Sequence, residues 1–217
     1  MELLFAYLII FAAISGALAS DPDPLQDVCV ADFASGVTVN GFACKDVANI
    51  SAADFSFDGL AKAGVPNNSL GAVAAVATVN EIPGLNTMGL SLSRADFAPG
   101  GLIQPHTHPR ATEMVFVLDG VLDVSFITTS NVLVSKTVKK GEIFGVPRGL
   151  THFLKNNSDK PAAVLATFNS QLPGTQVIAQ TLFAATPEVP DNVLTRAFQI
   201  STEEVDKIKS KLAPNKK

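Results

Sequence analysis

From Asn86 to Phe168 the chain is cut by Gly- and Pro-bearing turns into short β-rich runs, and that punctuation rules out long helices in this stretch. In "TMGLSLSRADF", Met88, Leu90 and Leu92 alternate with Gly89, Ser91 and Ser93, the period of a strand with one buried face. "FAPGG" then ends the run. "TEMVFVLDGVLDVSFIT" predicts two strands joined as a two-residue hairpin at Asp119-Gly120. "NVLVSKTV" predicts another strand, after which Lys140-Gly141 turns the chain. "EIFGVP" and "LTHFLKN" flank the turn "PRG", and the apolar run "AVLATF" follows the polar stretch "NSDKPA". Short strands at such regular spacing close into a sandwich or a barrel.

The C-terminal part changes period. In "STEEVDKIKSKL", Ser201 and Glu204 form the sequence of a capping box, and Val205, Ile208 and Leu212 fall on one helical face. "PDNVLTRAF" predicts a second helix, with Asp191 or Asn192 as its cap. The C-terminal helix reads equally well as an element packed on its own barrel and as an interface element. No internal repeat or long linker appears, so one domain is expected.

Residues 1–19 read as a secretory leader, with an unbroken apolar run from Leu3 to Ile14 and Ala17 and Ala19 in the A-x-A arrangement before the cleavage point. Glu2 and the lack of Lys or Arg ahead of the run are unusual, which leaves a buried N-terminal helix or a membrane anchor as alternatives. Residues 20–217 then form the single domain, divided into an arm over 20–50, a barrel over about 51–185 and a helical tail over about 186–217. The two cysteines, Cys29 and Cys44, both fall in the arm. In an oxidising compartment they are expected to form a disulfide, two buried free thiols being the alternative. Of three N-x-S sequons, Asn49 and Asn67 sit in polar loop-like sequence and are expected to carry glycans, whereas Asn156 closes a predicted strand. The net charge of −4 comes with no basic cluster outside the extreme C-terminus, which argues against a nucleic-acid partner.

All three histidines fall in one pattern. "GGLIQPHTHPRATE" carries His106 and His108, and on a strand residues two apart project to the same face and reach one point. Glu113 has the wrong parity for an unbroken strand, but Pro109 cannot continue a ladder, and a turn through "PRA" brings Glu113 back on the next, hairpin-joined strand. His152 follows the Pro-Gly turn in "PRGLT" and starts a further strand. Three imidazoles and one carboxylate from separate strands suit a metal ion with room for waters, which favours Mn(II), then Fe(II), over a closed tetrahedral zinc site. The Irving–Williams order alone would select copper or zinc.

At these residues the chain resembles the germin-like proteins, secreted plant members of the cupin superfamily. Their first box, G-x5-H-x-H-x4-E-x6-G, is met by Gly100, His106, His108, Glu113 and Gly120. The second, G-x5-P-x-G-x2-H-x3-N, is met by Gly141, Pro147, Gly149, His152 and Asn156. The likeness extends to "DPDPLQDVCVADF", "FNSQLPGTQ" and "KSKLAP", and is nearest to the subgroup with nectarins and rhicadhesin-receptor-like proteins. It implies an all-β cupin jelly roll with C-terminal helices, a manganese ion on His106, His108, Glu113 and His152, and a Cys29–Cys44 bond. It also implies a homohexamer, a trimer of dimers, in the apoplast with no membrane span after cleavage.

Two departures bear on activity. Germins that oxidise oxalate carry asparagines where this chain has Ser93 and, nearby, Ile103, and an isoleucine cannot hydrogen-bond a substrate carboxylate. That argues against oxalate oxidation. Relatives usually carry a bulkier pair at Gly145 and Val146, which predicts a roomier or softer pocket wall here, with the ion retained. The expected activity is a superoxide dismutase cycling between Mn(II) and Mn(III), which turns two superoxide anions and two protons into dioxygen and hydrogen peroxide. The alternative is a non-catalytic extracellular wall, receptor-like or storage protein in which the metal is structural. Asn156 is a candidate partner of the site or a strand-end cap, and Lys140-Gly141-Glu142 resembles an adhesion tripeptide but reads as a turn.

Overall fold

The computed structural model describes residues 27–38 and 40–212. The expected leader, residues 1–19, lies outside the described residues. Ten strands make up the barrel: β1 Ala72–Ala77, β2 Ser91–Phe97, β3 Leu102–Thr107, β4 Glu113–Asp119, β5 Val121–Ile127, β6 Leu133–Lys139, β7 Ile143–Val146, β8 His152–Lys155, β9 Ala162–Phe168 and β10 Gln176–Val177. They form two antiparallel five-stranded sheets, ordered β1-β2-β9-β4-β7 and β10-β3-β8-β5-β6. The inner faces meet in a core of Phe97, Val115, Val117, Leu122, Val124 and Val164. Chain-adjacent strands that fall in opposite sheets are the mark of a jelly roll.

That topology corrects the reading of Asp119-Gly120. β4 and β5 do not pair with each other. β4 already has β9 and β7 on its two edges, and β5 has β8 and β6. A turn signal states where the chain reverses, not which strand it then joins. Gly120, at φ +76°, carries the chain from one sheet to the other, and a Cβ there would lie 2.8 Å from both Ala162 Cβ and the Pro161 carbonyl oxygen. The step from β3 to β4 is also a crossing between sheets, not a hairpin. The true hairpin is β5–β6, in register from Val121↔Lys139 to Ile127↔Leu133.

The alternation read from Met88 begins too early. The strand starts at Ser91, which is buried with its hydroxyl donating to the Ser170 carbonyl at 2.7 Å, while Met88 and Leu90 are exposed. Tertiary hydrogen bonding outweighs the apolar pattern at this strand end.

Cys29 and Cys44 form a disulfide. It fastens the arm over the loop between β1 and β2. There the fully buried Asn86 donates from Nδ2 to the Phe42 carbonyl at 2.8 Å and accepts at Oδ1 from the Phe42 N–H at 3.2 Å. Gln171 joins the same knot, its Nε2 donating to Asn86 Oδ1 at 3.3 Å. Closing a loop of about 15 residues contributes about 3 kcal/mol in the chain-entropy account. Replacing both cysteines by serine is expected to lower the unfolding free energy by about that amount in denaturant titration, with the metal centre still assembled.

The described residues end in three helices: α1 Ile178–Phe183, α2 Asp191–Phe198 and α3 Thr202–Leu212. The capping box at α3 is formed, Glu204 Oε2 accepting from Ser201 N at 2.8 Å and Ser201 Oγ from Glu204 N at 3.2 Å. At α2 the cap is Pro190, and Asp191 is the first helical residue, so neither Asp191 nor Asn192 caps it. α1 has no side-chain cap and no signal in the sequence. Phe183, Leu194 and Val205 bury one another in a small core of their own, closed by Ile208 and Leu212. The apolar stripe of α3 is thus satisfied mainly by the other tail helices. Lys209 pins the group through Glu188 at 2.7 Å and Asp191 at 2.6 Å.

Candidate metal centre

A bulge brings the histidines to one point. Along β3 and β8, Ile103 pairs with Leu154 but His106 pairs with His152, so β3 spends one residue more than β8 over that interval. Pro105, which cannot donate to a ladder, lies in the bulged interval. The extra residue shifts parity, and Ile103 and His106 both face the interior although they are three apart. His152 opens β8 between His106 of β3 and Phe126 of β5. Glu113 opens β4 in the opposite sheet, between Phe168 of β9 and Val146 of β7. The carboxylate therefore meets the imidazoles across the sandwich.

All four are buried, between 1% and 6% exposed, and one ligand atom from each lies within 4.8 Å of the others. Each ring has its Nδ1 committed: His106 to the Gln104 carbonyl at 2.8 Å, His152 to the Leu150 carbonyl at 2.9 Å, and His108 to the Gly174 carbonyl. A carbonyl only accepts, so each Nδ1 carries a proton, and a neutral ring then presents its lone pair at Nε2. This is the arrangement that orients ligating histidines in metal sites. Burial, with the neighbouring His152 next in effect, lowers the His106 pKa to about 4, so the ring is neutral at physiological pH.

Glu113 is the one carboxylate of the group. Burial alone would raise its carboxyl, but His108 and His152 outweigh this and bring it to about 2. His152 Nε2 lies 2.8 Å from Glu113 Oε2 and His108 Nε2 lies 3.4 Å from it. Even so, neither Glu113 Oε2 nor His152 Nε2 has an aligned hydrogen-bond partner. Two orphaned buried polar atoms facing each other are costly unless something between them accepts both lone pairs. A cation does that. Three imidazole nitrogens and one carboxylate oxygen fit a divalent ion.

His106, His108 and Glu113 of this group line a cavity of about 240 Å³ between the sheets, and His152 lies behind them. Ser93 and Ile103 both line it, as the likeness to oxalate-oxidising germins leads one to expect. Gly145 does not. It is exposed on the outer face opposite Met114, and Val146 is core, so the smaller pair does not widen the pocket and that expectation is corrected. Asn156 is a strand-end cap: its Nδ2 donates to the carbonyls of Ala98 at 3.0 Å and Lys160 at 2.7 Å, away from the cluster. Lys140-Gly141-Glu142 is a turn, with Lys140 paired to Asp119 at 2.9 Å. The three carbonyls that set the imidazole tautomers gave no sequence signal, because a carbonyl is common to every residue. Only the Pro-Gly pair at 173–174 hinted at a rigid turn beside His108.

The family pattern described as Cupin matches residues 58–206. Germin-like protein 5-1 of Oryza sativa subsp. japonica is 65% identical over 199 residues, covering 92% of this chain and 89% of that protein. Nectarin-1 of Nicotiana langsdorffii x Nicotiana sanderae is 58% identical over 217 residues, covering 100% of this chain and 94% of its own length. A solved structure of recombinant oxalate oxidase in complex with glycolate superposes with a TM-score of 0.86 at 44% identity, over 89% of this chain and 98% of that one. With the jelly roll and the buried His-His-Glu-His group in place, this similarity makes the chain a member of the cupin family and, within it, a germin-like protein.

Proposed function

We propose that His106, His108, Glu113 and His152 hold one manganese ion and that the protein converts superoxide to hydrogen peroxide and dioxygen outside the cell. The observation that carries this is the convergence of three imidazoles, each fixed through Nδ1, on a carboxylate whose inner oxygen has no aligned partner. Bound there, manganese exchanging between Mn(II) and Mn(III) supplies the one-electron chemistry, two superoxide anions and two protons giving dioxygen and hydrogen peroxide. The chain's own part is positional. The carbonyls of Gln104, Leu150 and Gly174 hold the rings, and Glu113 supplies negative charge. The apolar wall would limit water beside the four side chains that would hold the ion. Oxalate is not the proposed substrate, because Ser93 and Ile103 offer no amide to a second carboxylate.

A second reading has its own support. Among the described residues that line the cavity, no acidic or cationic side chain besides the candidate ligands is placed to donate a proton, as suits a centre that only braces the barrel. Metal analysis with a superoxide assay before and after chelation separates the two. About one manganese per chain and metal-dependent consumption of superoxide are expected. A fully loaded protein without turnover leaves the wall, receptor-like or storage role.

Secretion belongs to the same reading, and so does glycosylation. Asn49 and Asn67 are exposed, while Asn156 is fully buried and is left out. No helix among the described residues is long and apolar enough to cross a membrane. Assembly into a homohexamer is supported by the apolar side chains of Met114, Phe116 and Ile143, which stand exposed on the outer face of one sheet.

A further inference from the structure

The cavity beside the candidate ligands is larger and more apolar than a two-atom anion requires. Its volume of about 240 Å³ approaches the roughly 300–1,000 Å³ of sites that hold organic ligands. Ile103, Leu154, Val164, Ala95 and Leu102 are among the apolar side chains of the wall. Leu70 and Val76 line it while remaining solvent exposed, which marks its mouth at the edge strand β1. The polar groups along the wall, Thr78, Ser93, Gln104 and Thr175, are all neutral, and among the described residues no Lys or Arg lines the cavity.

From this charge distribution we propose that the cavity binds a small amphipathic monoanion, with one carboxylate-type head beside the candidate ligands and an apolar body against Ile103, Leu154 and Val164. The inference rests on the metal reading above, since among the described residues lining the cavity a cation held by His106, His108, Glu113 and His152 is the only countercharge for the head. An anionic group at the far end would have no cationic partner and would be buried among aliphatic carbons, which is unfavourable. An apolar body gains from the same wall in proportion to the area it loses to water. The ligand class is therefore one charged end and one greasy end, sharing the open position that superoxide would use.

The test is calorimetric titration of the Mn(II)-loaded protein with acetate, butyrate, hexanoate and adipate. Each added methylene from acetate to hexanoate is expected to tighten binding about fourfold until the cavity is filled. Adipate, as long as hexanoate but charged at both ends, is expected to bind at least about tenfold more weakly. Ala95→Leu, which fills the wall without touching the four ligand candidates, should weaken hexanoate at least about tenfold and leave acetate unchanged. Affinity independent of chain length, or adipate binding as tightly as hexanoate, overturns the proposal and leaves the metal reading standing. A chain that takes up no Mn(II) overturns both.

Discussion

Glu113→Gln is expected to leave the fold in place and to lower the cation content from about one ion per chain to less than about a tenth, with superoxide consumption falling to background. Glutamine keeps the size and shape of the side chain, so β4 retains its pairing with β7 and β9. The change removes the one carboxylate among four ligand candidates that are otherwise imidazoles. Losing a charge-assisted contact to a buried cation removes about 3–5 kcal/mol of binding, or a factor of about 10²–10⁴ in affinity. Metal analysis after dialysis reads the loss, and far-ultraviolet circular dichroism reads the fold. A second signature separates a lost ligand from general damage. Added Mn(II) should raise the midpoint of thermal unfolding of the parent and not of the variant, because only a native state that binds the ion is stabilised by it. Glu142→Gln, at an exposed carboxylate paired with Lys136 on the surface, should change neither readout. Full cation content in the Glu113 variant would remove the basis for the proposed centre.

How much of this centre could be read beforehand depends on which kind of information each part needs. His106, His108 and His152 stood out because side-chain period and turn chemistry are local properties. The pairing of strands is not local. Asp119-Gly120 has the composition of a hairpin turn, yet the flanking strands lie in opposite sheets because β9 and β8 hold the positions a hairpin partner would take. The parity argument for Glu113 reached the right face for an incomplete reason: the residue returns not on a neighbouring strand but on the facing sheet. Ser91 shows the same limit at smaller scale, since its burial depends on the Ser170 carbonyl, 79 positions away in the chain. The capping box at Ser201 was legible because all of its atoms lie within one turn of helix. The tautomers were not, because they are set by backbone carbonyls, one of which lies 66 positions from its histidine.

Gly120→Val is the fold-level counterpart, expected to cost about 3–5 kcal/mol of the ~5–15 kcal/mol that holds a domain together, and with it the assembly of the centre. Two independent penalties meet at this residue. Its φ of +76° lies in the left-handed region, which costs an L-residue about 1–2 kcal/mol and a β-branched one more. A Cβ there also lies 2.8 Å from Ala162 Cβ and the Pro161 carbonyl oxygen, so β9 must shift to admit it. Gly141→Ala isolates the first penalty: φ is +85° but nothing stands within 4 Å of an added Cβ, so only the backbone cost of about 1–2 kcal/mol is expected. Denaturant titration of the two variants gives the comparison, and equal losses would show that the crowding at Ala162 does not matter. The larger loss at Gly120 has a functional consequence because of where the residue sits. It is the corner that sends β4 into one sheet and β5 into the other, and β4 carries Glu113 while β5 braces His152 through Phe126. A side chain that forces this corner open pulls the carboxylate from the imidazoles, so residual cation binding should fall along with stability, whereas the Gly141 variant keeps its ion.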